Sequence, residues 1–486
     1  TSQFDLYADA TGAAPLRSLV GAQRLSIRSG TAAVHVAGRQ GTLAVAGSLQ
    51  VQDLFYDTTR LGNGTVAFDG HGSVTQGLEA WSGVADLSFI ATPSVTVQEA
   101  TLEATSDSAG IGLSGSVRLN PRYTADVAAH VDPRPGHEQV TLERLDLRLQ
   151  SDRWSLLQDA TITYSDAYRV RGLLLLSEDQ QIAADGIIDF NGTQSFIVTA
   201  EQVRMAPLAN LAGLSGLGGR VTGTLDLSGP ATDPQLDTRF TMDVTSQDEE
   251  VGALRLSVGY ASFATSIDAT LSHVDGGTLD VTGRLPMDLR LARDRAVTVT
   301  NRPVGLTVAA EGFSVGWIDP FVDPLLLRDI QGTLQAQIDV SGTRQRPSFA
   351  GQLTLTDGSA YVPDLDTRYD RATATVVFQE ARAVLQEARI RSDNGGRLQA
   401  SGGIDFSALT LGAFDLDLQA RNFIAIDTRA YRNAVIDGAL TLEGTTRRPV
   451  LNGTVEVKRA HGYYAEATGT DDSDLASGQL TERDEQ

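Results

Sequence analysis

Residues 332–358 read GTLQAQIDVSGTRQRPSFAGQLTLTDG. Leu334, Ala336, Ile338 and Val340 fall on one side of this stretch, and Gln335, Gln337, Asp339 and Ser341 on the other. A period of two means a strand with one dry face and one wet face. A turn carrying Gly342 and Pro347 follows. A second alternating strand then runs through Leu353 and Leu355 to Asp357-Gly358, a dipeptide that closes tight hairpins.

The pattern recurs through the chain. The form GTLxhxG, with h apolar, occurs at 41–47, 223–229 and 277–283, with relatives at 396–402 and 438–444. Gly229, Gly342 and Gly444 each precede a proline by five residues (Pro234, Pro347 and Pro449), and an alternating strand follows each proline. The spacing of these glycines gives an internal repeat of roughly a hundred residues, the mark of an array of like units. Expected divisions are 1–200 as an N-terminal part, repeat units at 201–310 and 311–420, a partial unit at 421–466, and an acidic, disordered tail at 467–486. Asn-Gly and Asp-Gly pairs at 63–64, 69–70, 185–186, 191–192, 275–276, 394–395, 437–438 and 452–453 read as turns. Short helices are expected near 14–21, 203–214, 317–329 and 425–433; the form APLxxLxG opens the first and lies in the second.

Composition sets the bounds. The 486 residues include 48 glycines, 6% aromatics and no cysteine, so neither disulfides nor thiolate metal sites hold the fold. The net charge is -22 and Lys458 is the only lysine. Such an acidic chain repels nucleic acid and anionic lipid surfaces. No apolar run is long enough to span a membrane. Residue 1 is Thr and no signal peptide opens the sequence, so the chain reads as a piece of a longer protein or a processed form.

An all-β chain with one apolar face must cover that face. At roughly a dozen residues per strand and turn, it holds on the order of 40 strands. A single antiparallel sheet of that size twists and curls. Curled toward its dry side, it becomes an elongated groove, longer than ~100 Å at ~4.8 Å per strand. The expected lining is Leu225, Leu227, Leu334, Ala336, Ile338, Val340, Leu353, Leu355, Phe414, Leu416, Leu418, Leu440, Leu442, Val455 and Val457. Small and medium aliphatic side chains suit acyl chains, since each buried CH₂ gains ~0.8 kcal/mol anywhere along such a surface. Ordinary protein core leaves the same periodicity, which reports a dry face and not its cover. Two other readings stand beside the lipid conduit. One is an assembly scaffold that pairs client strands to its edges. The other is an adhesin or β-solenoid stalk, against which the long repeat argues.

No chemistry-bearing constellation emerges, so neither enzyme activity nor a cofactor is expected. His35, His71, His130, His137, His273 and His461 lack ligand spacing. Asp471, Asp472 and Asp474 lack the glycine and distal glutamate of a calcium loop. Asp319 and Asp323, beside prolines, read as turn and helix-start residues rather than an acid–base pair. Asn63, Asn191 and Asn452 sit in N-G-T sequons, read as hairpin turns.

Three segments carry a family resemblance: APLANLAGLSGLGGRVTGTLDLSGPATDPQL at 206–236, GTLQAQIDVSGTRQRPSFAGQLTLTDGSAYVPDL at 332–365, and IDGALTLEGTTRRPVLNGTVEVKRAHG at 436–462. With the paired strands from Trp154 to Phe190, they resemble the TamB family of AsmA-like envelope proteins. The resemblance covers about 140 to 466 well and the first 140 residues weakly. It implies a taco-shaped β groove in a periplasmic protein anchored to the inner membrane, and a part in phospholipid traffic or outer-membrane protein assembly. Phospholipids, and for some members a TamA-type outer-membrane barrel, are the implied partners. Two departures are expected: no N-terminal anchor helix, and an end before the family's C-terminal domain.

Overall fold

A computed structural model describes residues 3–11, 25–291 and 301–462, apart from a few turn positions. The predicted helix near 14–21 and the acidic tail from 467 lie outside the described residues. The rest is all-β: 28 strands among the described residues belong to one sheet, and every described pairing between strands is antiparallel.

The strands are β1 (Gln3–Thr11), β2 (Leu25–Arg39), β3 (Thr42–Tyr56), β4 (Thr59–Ser73), β5 (Gly77–Ala91), β6 (Thr96–Ser106), β7 (Ile111–Asn120), β8 (Tyr123–Asp132), β9 (Gln139–Leu149), β10 (Asp152–Leu156), β11 (Ala160–Tyr164), β12 (Ala167–Ser177), β13 (Gln180–Asp189) and β14 (Thr193–Arg204). The helix α1 (Ala206–Leu211) precedes β15 (Leu217–Pro230), β16 (Gln235–Ser246), β17 (Glu249–Ala261), β18 (Ala264–His273), β19 (Thr278–Pro286) and β20 (Gly305–Ser314). After a 3₁₀ turn (Val315–Phe321) come β21 (Arg328–Gly342), β22 (Pro347–Val362), β23 (Thr367–Glu380), β24 (Arg382–Arg391), β25 (Arg397–Ser407), β26 (Thr410–Ile426), β27 (Tyr431–Thr445) and β28 (Arg448–Gly462). Contacts divide the chain into a first unit, Thr1–Leu208 with Val221–Pro234, and a second, Ala209–Arg220 with Gln235–Gln486.

The strands outrun the expectation. Several, β3, β21 and β27 among them, are 15 residues long, so fewer strands use up the chain. Most Asn-Gly and Asp-Gly pairs account for the difference. Those at 63–64 and 69–70 lie inside β4, and the others at 185–186, 437–438 and 452–453 lie inside β13, β27 and β28. Only 191–192, 275–276 and 394–395 make turns. Of the three sequon asparagines, only Asn191 is therefore in a hairpin loop.

Asp357-Gly358, expected to close a hairpin, is a bulge within β22. The register shifts between Leu355 and Gly358, and Asp357 has φ 50°. A Cβ on Gly358 would stand 2.9 Å from the Ala372 Cβ and 3.1 Å from its carbonyl oxygen, so glycine admits the neighbouring strand. The Gly-to-Pro spacing does mark hairpins. Gly342 pairs with Pro347 across β21 and β22, and Gly444 with Pro449 across β27 and β28. The helix expected at 203–214 is α1, and the one at 317–329 shortens to the 3₁₀ turn. The one at 425–433 is not helical among its described residues: it spans the end of β26 and the start of β27.

In the first unit an apolar row crosses β2 to β9: Ala32, Leu49, Val66, Ala85, Leu102, Gly115, Val127 and Leu145 pair in succession. Its best-packed part holds Trp154, Leu175 and Val203 on the alternate strands β10, β12 and β14. A polar tie closes one strand end there. Arg204 at the end of β14 donates to the buried Asp152 of β10 at 2.6 Å, while its own N–H donates to Gln180 Oε1 at 2.8 Å. Tyr123 of β8 donates its hydroxyl to the Pro207 carbonyl at 3.0 Å.

Candidate functional site

The second unit carries the longer face. Met242, Leu254, Leu271, Leu279, Ala310, Ala336, Leu353, Val376, Leu385, Gly402, Leu416, Leu442 and Leu451 pair in succession from β16 to β28. No polar side chain interrupts this row, which extends on the order of 60 Å at ~4.8 Å per strand. A parallel row through Val308, Ile338, Gly351, Phe378, Ala383, Ile404 and Phe414 is likewise apolar. Where a large side chain stands in one strand, glycine often stands opposite, as Gly351 does to Phe378 and Gly402 to Leu416.

The reverse face is wet. Gln337 pairs with Gln352, Ser401 with Asp417, and Asp415 with Glu443. Arg382 donates to both Asp405 and Asp415 there. The hollow of about 480 Å³ beside the β20 bulge opens among Glu311, Gln335, Gln337 and Gln352, so it belongs largely to this polar side.

The sequence-predicted lining falls as follows. Leu334 pairs with Leu355, Ala336 with Leu353, and Val340 with Phe349. Leu416 pairs with Leu442 and Leu418 with Leu440, while Phe414 faces Gly444. Val455 and Val457 extend the same face onto β28, opposite Gly438 and Ile436. Leu225 and Leu227 stand on β15 in the first unit, half-buried between exposed Thr224 and Asp226. In the second unit Val340 is buried, most of the others are half-buried, and Val455 and Val457 are exposed at 47% and 60%. A second protein layer would bury central strand residues; this floor remains partly open.

The rims show that the second unit's sheet curls toward its apolar side. Phe349 of β22 and Phe406 of β25 have ring centroids 4.7 Å apart, although two strands lie between them. In a flat sheet that separation would be ~14 Å. Phe378 joins the pair, against buried Val304 and Val340. At the other strand ends, Tyr369 of β23 stacks on Phe423 of β26 at 5.2 Å and donates its hydroxyl to the Ala425 carbonyl at 3.0 Å. Asp427 N–H reaches the Leu365 carbonyl at 2.9 Å. Burial pushes the Tyr369 hydroxyl pKa up. The clasp spans the short β24–β25 turn, whose Ser392 hydroxyl accepts the Ile424 N–H at 3.2 Å. Alternation found the floor and missed these rims. Their one sequence signal was the placing of scarce aromatics near strand ends.

Beside the clasp, Asp437 accepts the Asn422 N–H at 2.6 Å and lies 3.4 Å from Lys458. The Asn422 hydrogen bond, and then Lys458, outweigh partial desolvation and hold its pKa below the usual 3.8. A carboxyl depressed on folding adds stability that is complete above its unfolded pKa and is lost as pH falls through the folded value. The Asn422 amide should therefore exchange faster as pH falls below the ordinary carboxylate range, beyond the change expected from intrinsic exchange chemistry. Asp437→Asn should abolish that pH step in hydrogen-exchange mass spectrometry.

Asp319 accepts the Ile330 N–H and Asp323 the Leu325 N–H, which makes both turn residues. Among the described residues no group of His, Asp and Glu could hold a metal ion, and no helix is long and apolar enough to cross a membrane.

These features define an all-β protein with one large antiparallel sheet, whose second unit carries a continuous, partly open apolar face. The model of the TamB C-terminal domain matches residues 386–486, from within β24 onward. Over these residues the chain is similar to the TamB C-terminal domain, which supports a relationship to that family of envelope proteins. The match overturns the expectation that the chain ends before the family's C-terminal domain. That expectation rested on degenerate strand repeats, which do not say where a family domain begins. No curated protein matches the chain.

Proposed function

We propose that this chain is a periplasmic lipid-conduit module, in which the apolar face of the second unit holds phospholipid acyl chains in transit between the inner and outer membranes. The supporting observation is the uninterrupted row from Met242 to Leu451, much of it half-buried and without a charge. Each CH₂ laid on such a floor gains ~0.8 kcal/mol wherever it lies. The gain is large in sum and nearly level along the row, so a chain is held yet free to slide. Aromatic rims limit sideways escape. Leu225 and Leu227 are assigned the same lining role in the first unit.

Photocrosslinking tests the reading. Benzoylphenylalanine at Ile338 or Leu416 should label acyl chains of co-purifying phospholipid, whereas the same group at Gln337 or Asp417 should not. Equal labelling from both faces would overturn the proposal.

A second reading, an outer-membrane assembly scaffold, draws on β28. Among the described residues this strand pairs only with β27, and its side chains are exposed on both faces. An unpaired edge can accept a client strand. Crosslinks from β28 to a nascent barrel protein, with none to lipid from Leu416, would favour it.

A further inference from the structure

Three arginines stand directly opposite one another on the polar face of the second unit. Arg391 of β24 pairs with Arg397 of β25, and Arg397 pairs with Arg421 of β26. The adjoining row, Ile390, Leu398 and Ala420, is apolar, so the alternation of each strand sends the arginines to the other face. All three are exposed. Side chains directly opposite in an antiparallel pair have Cβ atoms ~4.5–5.5 Å apart, and like charges there repel. The sheet thus holds three guanidinium groups in a line roughly 10 Å long.

Among the described residues no carboxylate forms an ion pair with this row. The sequence has 61 acidic residues against 39 lysines and arginines, so carboxylates are plentiful. Those close by are committed elsewhere. Asp370, opposite Arg391 on β23, lies 3.1 Å from Arg368. Glu387 is paired with Arg389. Asp437 feels the charge of Arg421 but accepts the Asn422 N–H at 2.6 Å and lies 3.4 Å from Lys458. Asp393, between Arg391 and Arg397 in sequence, lies outside the described residues. Arg382 on the same face is the contrast, since it holds two carboxylates, Asp405 and Asp415.

We propose that the row of Arg391, Arg397 and Arg421 is a binding site for a phosphate group, carried by a lipid headgroup or by a soluble phosphate ester. A guanidinium presents a planar fork of N–H donors that matches phosphate oxygens, and three forks in line can share one phosphate or a diphosphate. The bound anion replaces repulsion between neighbours with attraction to a common partner. A single carboxylate has oxygens for one fork and leaves the others opposed. The site lies on the reverse face from the acyl-chain floor, so it stands or falls independently of the lipid-conduit reading.

Isothermal titration calorimetry of the full chain with pyrophosphate tests the site, at an ionic strength held constant with sodium chloride. Arg239→Gln, which removes an exposed arginine already paired with Asp237, should bind as wild type does. Arg397→Gln should bind about tenfold more weakly, the change expected for loss of one charge-assisted hydrogen bond. Without ligand, β25 amides should exchange more slowly in Arg397→Gln than in wild type, because the central charge is repelled from both sides. Pyrophosphate should slow that exchange in wild type only. Flotation with phosphatidylglycerol vesicles names the source. Flotation of wild type that is lost in Arg397→Gln assigns a headgroup, and pyrophosphate binding without flotation assigns a soluble ester. Equal pyrophosphate affinity in wild type and Arg397→Gln overturns the site, as does binding of neither pyrophosphate nor vesicles by wild type. So does binding of a polyglutamate peptide that pyrophosphate does not displace, which gives the row to an acidic protein partner. Should Arg397→Gln fail to fold, Arg421→Gln takes its place with the same expectations.

Discussion

Replacing Leu416 with aspartate should cut acyl-chain retention on the second unit about 100-fold while leaving the sheet folded. Leu416 stands in the row between Gly402 and Leu442 and is half-buried. A carboxylate there keeps its water, so the folding cost is confined to lost leucine contacts, about 1–2 kcal/mol. An acyl chain lying across it has two poor choices. It strips water from an unpaired carboxylate, which costs many kcal/mol, or it lifts away and leaves roughly four CH₂ groups unburied. The second costs about 3 kcal/mol at ~0.8 kcal/mol per CH₂, or roughly 100-fold at ~1.4 kcal/mol per tenfold. The measurement is tritiated oleate retained by the purified chain, with circular dichroism to confirm the fold. Gln419→Asp, which adds the same charge to the wet face of the same strand, should change little. Equal retention in the two variants would mean that the row is not where acyl chains lie.

The sequence disclosed the floor because alternation has a direct physical meaning. Leu416 and Leu418 alternate with Asp417 and Gln419, and a strand must send them to opposite faces. Pairing register then follows from turn spacing, as Gly342–Pro347 and Gly444–Pro449 show. Glycine in strands was not legible in this way. Asp357-Gly358 and Asn452-Gly453 have the composition of turns, and only the neighbouring strand reveals whether a glycine is turning the chain or making room. Strand number was misjudged for the same reason, since each false turn cuts one long strand into two. The rims were hidden for a different reason. Phe349 and Phe406, or Tyr369 and Phe423, are brought together by curl, and curl is a property of many strands.

The position of the buried residues of β26 and β27 gives a second large expected effect. Phe423, Ile424 and Val435 are 4%, 7% and 2% exposed, and they sit at the clasp, whereas Leu416 on the floor is only half-buried. In an ordinary β-sandwich the order is reversed, because central residues are covered by the facing sheet. Phe423→Ala should therefore cost ~3–5 kcal/mol, the range for emptying a packed aromatic site. The Tyr369 ring loses its stacking partner in that variant. Leu416→Ala opens no enclosed cavity and should cost about 1 kcal/mol. Native-state hydrogen exchange of β26 amides measures both as local opening free energies, without requiring the whole chain to unfold in one step. If the floor substitution proved as damaging as the clasp substitution, Leu416 would be covered like core and no acyl chain could reach it. If the clasp dominates, stability resides in the rims and the floor is left free to meet a ligand. That division of labour is what an open conduit requires of a sheet that must stay folded whether loaded or empty.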